Sequence, residues 1–254
     1  MFKVCNLSFG YENKPIWENV NFEIKTNQLI CLLGANGVGK TTFLKTMLGI
    51  LKPITGEISI DSQKLSEIPI RKTYRKMAYV PQAHNPPFSF EVIDVVLMGR
   101  AAYIENFASP TKKDKAVALE ALKQINILHL ANEDYTKLSG GQKQLVLIAR
   151  SLAQQSKILI MDEPSSSLDY GNQIRLMHLL KRLSQEGKII IFSTHDPNHA
   201  LLYADQVMIL DKNNGFLFGK PQQIITSESL NSIYNISVDI HRTDDNNRIC
   251  IPKI

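Results

Sequence analysis

One stretch, Gly34-Ala-Asn-Gly-Val-Gly-Lys-Thr-Thr42, constrains this chain more than any other. It fits the pattern G-x-x-x-x-G-K-[ST], whose glycines let backbone N–H groups approach phosphate oxygens with no Cβ in the way. An apolar run, Leu29 to Leu33, precedes it and reads as a buried parallel strand. From Lys40 to Leu51 the apolar residues Phe43, Leu44, Met47, Leu48 and Leu51 share one helical face. A strand, a glycine-rich loop and a helix N-terminus in that order make an anion site, with the helix end adding partial positive charge. Gly34, Asn36, Gly37 and Gly39 form the loop. Lys40 supplies a mobile charge to the outer phosphates, and the Thr41 hydroxyl, followed by Thr42, suits a hard cation such as Mg²⁺. A plain glycine turn is the competing explanation, and the full match in context disfavours it.

The chain-wide numbers narrow the class. At 254 residues, with 44% hydrophobic and 21% charged residues, the chain is expected to be one large soluble domain with room for an inserted subdomain. A net charge of +5 permits contact with nucleotides or anionic lipid but is no nucleic-acid signature. Cys5, Cys31 and Cys250 have no metal spacing, and a reducing cytosol is expected. The start lacks a secretion signal, and no apolar run nears the ~20 residues that span a bilayer. Any membrane role must come through a partner.

Residues 2–33 read as an antiparallel β layer leading into the central strand. Tyr11 lies on a turn-like stretch within it, where packing and stacking on a purine ring are both open. Short strands follow at 56–61 and 77–80, the second ending at Pro81-Gln82. The block from about His84 to Lys137 changes character. It holds Val92 to Met98, then a helix from Lys112 with the stripe Val117, Ala121, Leu122, Ile125 and Leu128, and reads as an all-helical insertion. Lys157 to Met161 and Lys188 to Phe192 are continuous apolar runs, as in strands covered on both faces. One ends in Asp162-Glu163 and the other in Ser193-Thr194-His195-Asp196, at the strand ends where open parallel sheets bind ligands. A strand at 206–210, a helix at 227–234 and a hairpin about 244–247 complete the chain.

Phosphoryl transfer to water needs a held cation and an oriented water. Asp162 suits the first and Glu163 the second, although such a pair alone is often a helix cap or a solvated turn. Ser139 with Gln142 is a capping box worth ~1 kcal/mol. Gly140 and Gly141 weaken the same helix by roughly 1 kcal/mol each relative to Ala, so a cap alone would not require them. Open N–H groups there suit a second phosphate contact.

With these residues in order, the chain resembles the ATP-binding subunit of an ATP-binding cassette (ABC) transporter, from about Val4 to His241. The loop at 34–42, Gln82 after Val80-Pro81, the signature Leu138–Gln142, the Walker B strand Ile158–Glu163, the D-loop Ser166–Asp169 and His195 follow the family's sequence. Ser167 stands where Ala is more usual. The resemblance implies a mixed α/β fold: a P-loop NTPase core with a mostly parallel sheet, an N-terminal antiparallel layer and an inserted helical subdomain. It divides the chain into a core at 1–84 and 138–220, a helical subdomain at 85–137 and an extension at 221–254. It also implies two copies packed head to tail with ATP and Mg²⁺ between them, the loop of one facing the signature of the other. Tyr11 then stacks on adenine, Gln82 contacts metal and water, and His195 meets the γ-phosphate.

Val92–Arg100 resembles both the metal-chelate importers (iron–siderophore, haem, cobalamin, molybdate) and the zinc/manganese importers. His195-Asp-Pro-Asn198 and the tail from Gly219 lean to the chelate group. Permease subunits in the membrane, and indirectly a substrate-binding protein, are the implied partners, with the chain on the cytoplasmic face. Phe88, Phe90 and Val92 are candidates for the groove that receives the permease, and core packing explains them equally well. An exporter or lipid-transporter subunit is the alternative. A soluble ABC protein acting on DNA or ribosomes usually needs two cassettes or a long coiled-coil insertion, and the space between Lys40 and Ser139 allows only a compact one.

Overall fold

The computed structural model describes residues 1–12, 14–81, 89–105 and 108–253. The chain forms two compact units, Met1–Ile68 with Leu180–Ile254, and Pro69–Leu179. The second unit is therefore wider than the helical block read at 85–137, because the Met77–Val80 and Ile158–Met161 strands belong to it.

In the first unit, Phe2–Tyr11 pairs antiparallel with Lys14–Ile24 on one edge and Thr55–Ile60 on the other. Alternation buries Phe2 and Val4, then breaks at Asn6, which takes a φ of 47° at a register shift. The extra residue returns Leu7 and Phe9 to the buried face. A second sheet is built on Gln28–Gly34, parallel to Ile189–Ser193 on one side and Gln206–Asp211 on the other. Leu29 to Leu33 are all fully buried, the burial expected of a strand covered on both faces.

Gly215–Gly219 extends this sheet antiparallel to Gln206–Asp211, a strand the sequence pattern does not reveal. Its residues are all half-buried, so no apolar alternation marks it. What fixes it is an aromatic cluster. Phe216 and Phe218 lie 5.7 and 5.6 Å from Phe22, and Phe43 stacks on Phe9 at 4.9 Å. The Lys40–Met47 helix is shorter than its apolar face suggests. Gly49 N–H bonds to Thr46 C=O and Ile50 N–H to Lys45 C=O, the paired closure that ends a helix at glycine.

In the second unit, Met77–Val80 runs parallel to Ile158–Met161. The helices Val92–Leu97, Lys112–Gln124 and Gly140–Ala153 enclose a core of Val92, Val96, Ala118, Leu122, Val146 and Ala149. Thr111 and Asp114 close a capping box on the second of these helices. Leu128, assigned to the helical stripe, lies past its end and is 43% exposed. Arg100, 5% exposed, is the polar centre of this unit. Its Nε donates to Asp114 Oδ1 at 3.0 Å, and its Nη1 donates to Ala153 C=O at 2.9 Å and Gln155 Oε1 at 3.0 Å. The guanidinium also lies 4.0 Å from the centre of the Tyr103 ring.

The tail from residue 220 has helices Pro221–Ile224 and Ser227–Tyr234 and the hairpin Val238–Arg242/Arg248–Pro252. Among the described residues no helix is long and apolar enough to cross a membrane.

Candidate active site

The phosphate loop lies in the first unit. Gly37 and Gly39 adopt φ of 72° and 108°, left-handed values that side chains with a Cβ resist. Gly34 is required for space instead, because a Cβ there would meet the Leu210 carbonyl oxygen at 2.9 Å. Lys40 begins the helix and is 6% exposed. Its Nζ donates to the Gly34 carbonyl at 2.7 Å and the Ala35 carbonyl at 3.2 Å, so the ammonium is folded over the loop it serves. Asn36, Gly37 and Thr41 are exposed, and Thr42 is buried.

Two aromatic residues complete this half. Tyr11 is 52% exposed, and its hydroxyl accepts from Thr42 Oγ1 at 3.3 Å. Core packing therefore does not account for Tyr11. Trp17 belongs to no sequence motif, yet its indole Nε1 donates to the Val38 carbonyl at 2.8 Å inside the loop. Its ring and Ile16 also line the space beside Gly39. The single tryptophan of the chain is thus a clamp on the loop. Its position in an ordinary strand gave no sign of this.

His195 also belongs to the first unit. It is exposed, just beyond the end of Ile189–Ser193. Burial pushes the pKa of the nearby His199 down, opposed by the charge of Asp196.

The carboxylate pair and the capped helix lie in the second unit. Asp162 is 4% exposed, with its N–H bonded to the Val80 carbonyl at 2.9 Å. Tyr79 has its pKa pushed up to about 12, by burial first and then by the Asp162 charge. Glu163 has a φ of 47° and stands directly before Pro164. A left-handed residue with a long side chain is uncommon, and a following proline restricts it further. Ser166 holds it, since both its N–H (3.2 Å) and its hydroxyl (3.0 Å) donate to the Glu163 carbonyl. Strain of this kind costs on the order of 1–3 kcal/mol and concentrates at functional positions. Asp169 then opens the Tyr170–Gln185 helix, its Oδ1 accepting from the Asn172 N–H at 2.8 Å.

The capping box at Ser139 is formed in full. Gln142 N–H donates to Ser139 Oγ at 3.3 Å, and Ser139 N–H donates to Gln142 Oε1 at 2.9 Å. The two glycines between them separate cleanly. A Cβ on Gly141 would stand 2.9 Å from the Ser167 carbonyl oxygen, so close packing accounts for that glycine. Around Gly140 there is nothing within 4 Å of such a Cβ. Gly140 therefore has no packing reason to be glycine.

Thr41 and Asp162 are oxygen donors. Each, in its own unit, carries the hard oxygen that Mg²⁺ takes. Among the described residues no group of three or more His, Cys, Asp or Glu could hold a metal ion. Gln82 and Phe88 lie outside the described residues. Of the other groove candidates, Val92 is fully buried in the core of its unit, so packing explains it, and Phe90 is 37% exposed.

A family model described as "ABC transporter" matches residues 17–166. An ABC transporter ATP-binding protein of Haemophilus influenzae is 47% identical over 98% of this chain and 95% of its own length. The molybdate import ATP-binding protein MolC of the same organism is 39% identical, covering 92% of this chain and 87% of that protein. A solved structure described as a metal-chelate type ABC transporter in an inward-facing conformation superposes with a TM-score of 0.87 at 35% identity. That match covers all of this chain and 97% of the other. The family match takes in the phosphate loop, the helical block and the carboxylate pair alike, and the chain belongs to the ABC transporter family as one of its ATP-binding, ATP-hydrolysing subunits.

Proposed function

We propose that this chain powers a membrane importer of an iron or other metal chelate. The observation that carries the hydrolytic part is the preformed loop, with two left-handed glycines, the Trp17 bond to Val38 and the Lys40 ammonium folded over it, a geometry that suits a phosphate. The import of a chelate rests on similarity to the molybdate import protein and to the metal-chelate type transporter.

In this reading the backbone of residues 34–42 and Lys40 hold the phosphates, and Tyr11 stacks on the base. Thr41, Asp162 and Gln82 hold Mg²⁺, which when bound offsets charge on the phosphate oxygens. Glu163 takes the proton from the attacking water, and His195 contacts the γ-phosphate. Ser139, Gly140, Gly141 and Gln142 serve the nucleotide of a second copy. Residues 1–84 and 138–220 form the catalytic core, 85–137 the helical subdomain and 221–254 an extension. The partners are a second copy of this chain, permease subunits and, indirectly, a substrate-binding protein, with the chain on the cytoplasmic face.

The test compares two variants by equilibrium ATP titration and by turnover. Glu163→Gln keeps ATP affinity and loses hydrolysis by roughly 10²–10⁴-fold, the range for removing a general base. Lys40→Ala loses affinity itself. Near-normal turnover in Glu163→Gln would remove Glu163 from the role of base. Sharing of the site is tested by mixing Lys40→Ala with Gly140→Asp, each inactive alone. Random pairing leaves one intact site in about half the dimers. If mixing restores neither hydrolysis nor ATP-dependent dimers, the second-copy assignment is wrong.

A further inference from the structure

The turn that carries His195 is braced from two sides. On the inner side, Thr194 N–H bonds to the Leu32 carbonyl at 3.2 Å. Thr194 Oγ1 accepts the Asp196 N–H at 3.1 Å and lies 3.3 Å from His199 Nδ1. Asp196 Oδ1 caps the next helix by accepting the Asn198 N–H at 2.8 Å. That helix, Pro197–Tyr203, has only seven residues, too few to be stable without tertiary support.

The outer support comes from the end of the chain. The side-chain amide of Asn198 meets the main chain of Cys250 on both sides. Its Nδ2 donates to the Cys250 carbonyl at 3.2 Å, and its Oδ1 accepts the Cys250 N–H at 2.7 Å. One amide thus acts as a strand partner for the free edge of Arg248–Pro252, whose other edge pairs with Val238–Arg242. The hairpin is itself tethered, because Arg248 donates to the carbonyls of Gln222 at 2.8 Å and Ile225 at 3.2 Å. Cys250 is 8% exposed, so its peptide groups are poorly placed to take water instead.

We infer that Asn198 is a positioning residue for His195, and that the C-terminal hairpin acts on catalysis through it. The inference rests on the γ-phosphate role proposed above for His195. Asn198 is three residues from His195, at the start of the helix that fixes the direction of the turn. Freeing the amide releases the outer brace and leaves the start of the seven-residue helix to Thr194, Asp196 and the packing of the buried His199, Ala200 and Leu201. Small misplacement of a group that acts on the transferring phosphoryl is costly in rate while ground-state binding is largely kept.

The experiment uses the full chain and five variants. Asn198→Leu removes both bonds at similar volume. Cys250→Pro removes the N–H that Asn198 Oδ1 accepts and sets the ring's Cδ against that oxygen, so it breaks the contact from the hairpin side. The double variant tests whether the two act through one contact, and His195→Ala tests the role on which the inference rests. We expect Asn198→Leu to lower kcat by about ten-fold or more with ATP affinity changed less than about three-fold. Cys250→Pro is expected to show the same split to a smaller extent, and the double variant to be no worse than Asn198→Leu. Asn198→Asp, which still accepts the Cys250 N–H, should recover part of kcat. If His195→Ala hydrolyses ATP normally, the role of His195 is wrong. If His195→Ala is inactive but Asn198→Leu keeps full kcat and only melts earlier, Asn198 is a structural clasp and the inference is overturned. Full kcat in Cys250→Pro together with additive losses in the double variant would overturn the part played by the hairpin.

Discussion

Replacing Arg100 by Met should be among the most destabilising single changes in the second unit. The side chains of Arg100 and Asp114 are 6% and 10% exposed, so their ion pair at 3.0 Å is shielded from water. Arg100→Met keeps the stem but strips Asp114 of its charge partner and leaves the Ala153 carbonyl and the Gln155 amide without their donor. Breaking a buried pair from one side costs about 3–5 kcal/mol, because the remaining charge stays desolvated. Asp114→Asn should cost less, about 1–3 kcal/mol, since Arg100 keeps Ala153, Gln155 and the face of Tyr103. The double variant should then cost clearly less than the two singles combined, with a coupling of about 1–3 kcal/mol. Urea unfolding followed by far-UV circular dichroism measures these values, and hydrogen exchange at Lys112–Gln124 locates them. Trp17 emission reports on the phosphate loop and serves as a control.

The pair also has a pH signature. Hydrogen bonds from Thr111 first, and then from Arg100, hold the Asp114 carboxyl at about 2 against an ordinary 3.8. A depressed carboxylate contributes stability above its unfolded pKa, and that contribution is lost as pH falls through the folded value. The wild type should therefore lose stability from about pH 4 to about pH 2, and Asp114→Asn should lack this part of the acid limb. A cost below about 1 kcal/mol for Arg100→Met, or costs that simply add, would refute the reasoning.

Trp17→Phe should keep the fold at a cost of about 1 kcal/mol, because it deletes one hydrogen bond to Val38 and retains most of the ring. It should also weaken ATP binding measurably by titration; unchanged affinity would show that the loop holds its shape without the clamp. Gly140→Ala should leave the melting temperature unchanged or raised, by up to about 1 kcal/mol in stability, while Gly141→Ala should lower it by pushing Ser167 aside. Equal melting of the two would contradict the packing difference. Glu163→Gly should stabilise the chain by up to about 1–3 kcal/mol through relief of the left-handed backbone, and abolish turnover. A less stable glycine variant would mean that the loop carries no such strain.

The sequence carried the fold where one physical rule was at work alone. Continuous apolar runs marked Gln28–Gly34, Ile158–Met161 and Ile189–Ser193, because strands covered on both faces leave no other solution. The capping box at Ser139 was legible for a similar reason, since its two bonds join residues three apart. Contacts between distant parts of the chain were not legible. Gly215–Gly219 depends on Phe22, about 190 residues earlier, and Asn198 depends on the main chain of Cys250, which no side-chain pattern can announce. The loop itself was plain from its glycines, while Trp17 looked like any strand residue until Val38 was beside it. Gly141 shows a further limit. Two adjacent glycines look alike in a sequence, and only the course of residues 166–169 past one of them gives them different reasons.

That close passage has a mechanical consequence. With the Ser167 carbonyl packed against Gly141, and with Gln173 Nε2 donating to the carbonyls of Ser165 and Leu168, the segment after Glu163 is wedged between the start of the Gly140–Ala153 helix and the Tyr170–Gln185 helix. In the two-copy arrangement proposed above, this wedge joins the carboxylate that would face a chain's own nucleotide to the helix end that would face the partner's, so a backbone shift at Glu163 would meet Gly141 before any other part of that helix.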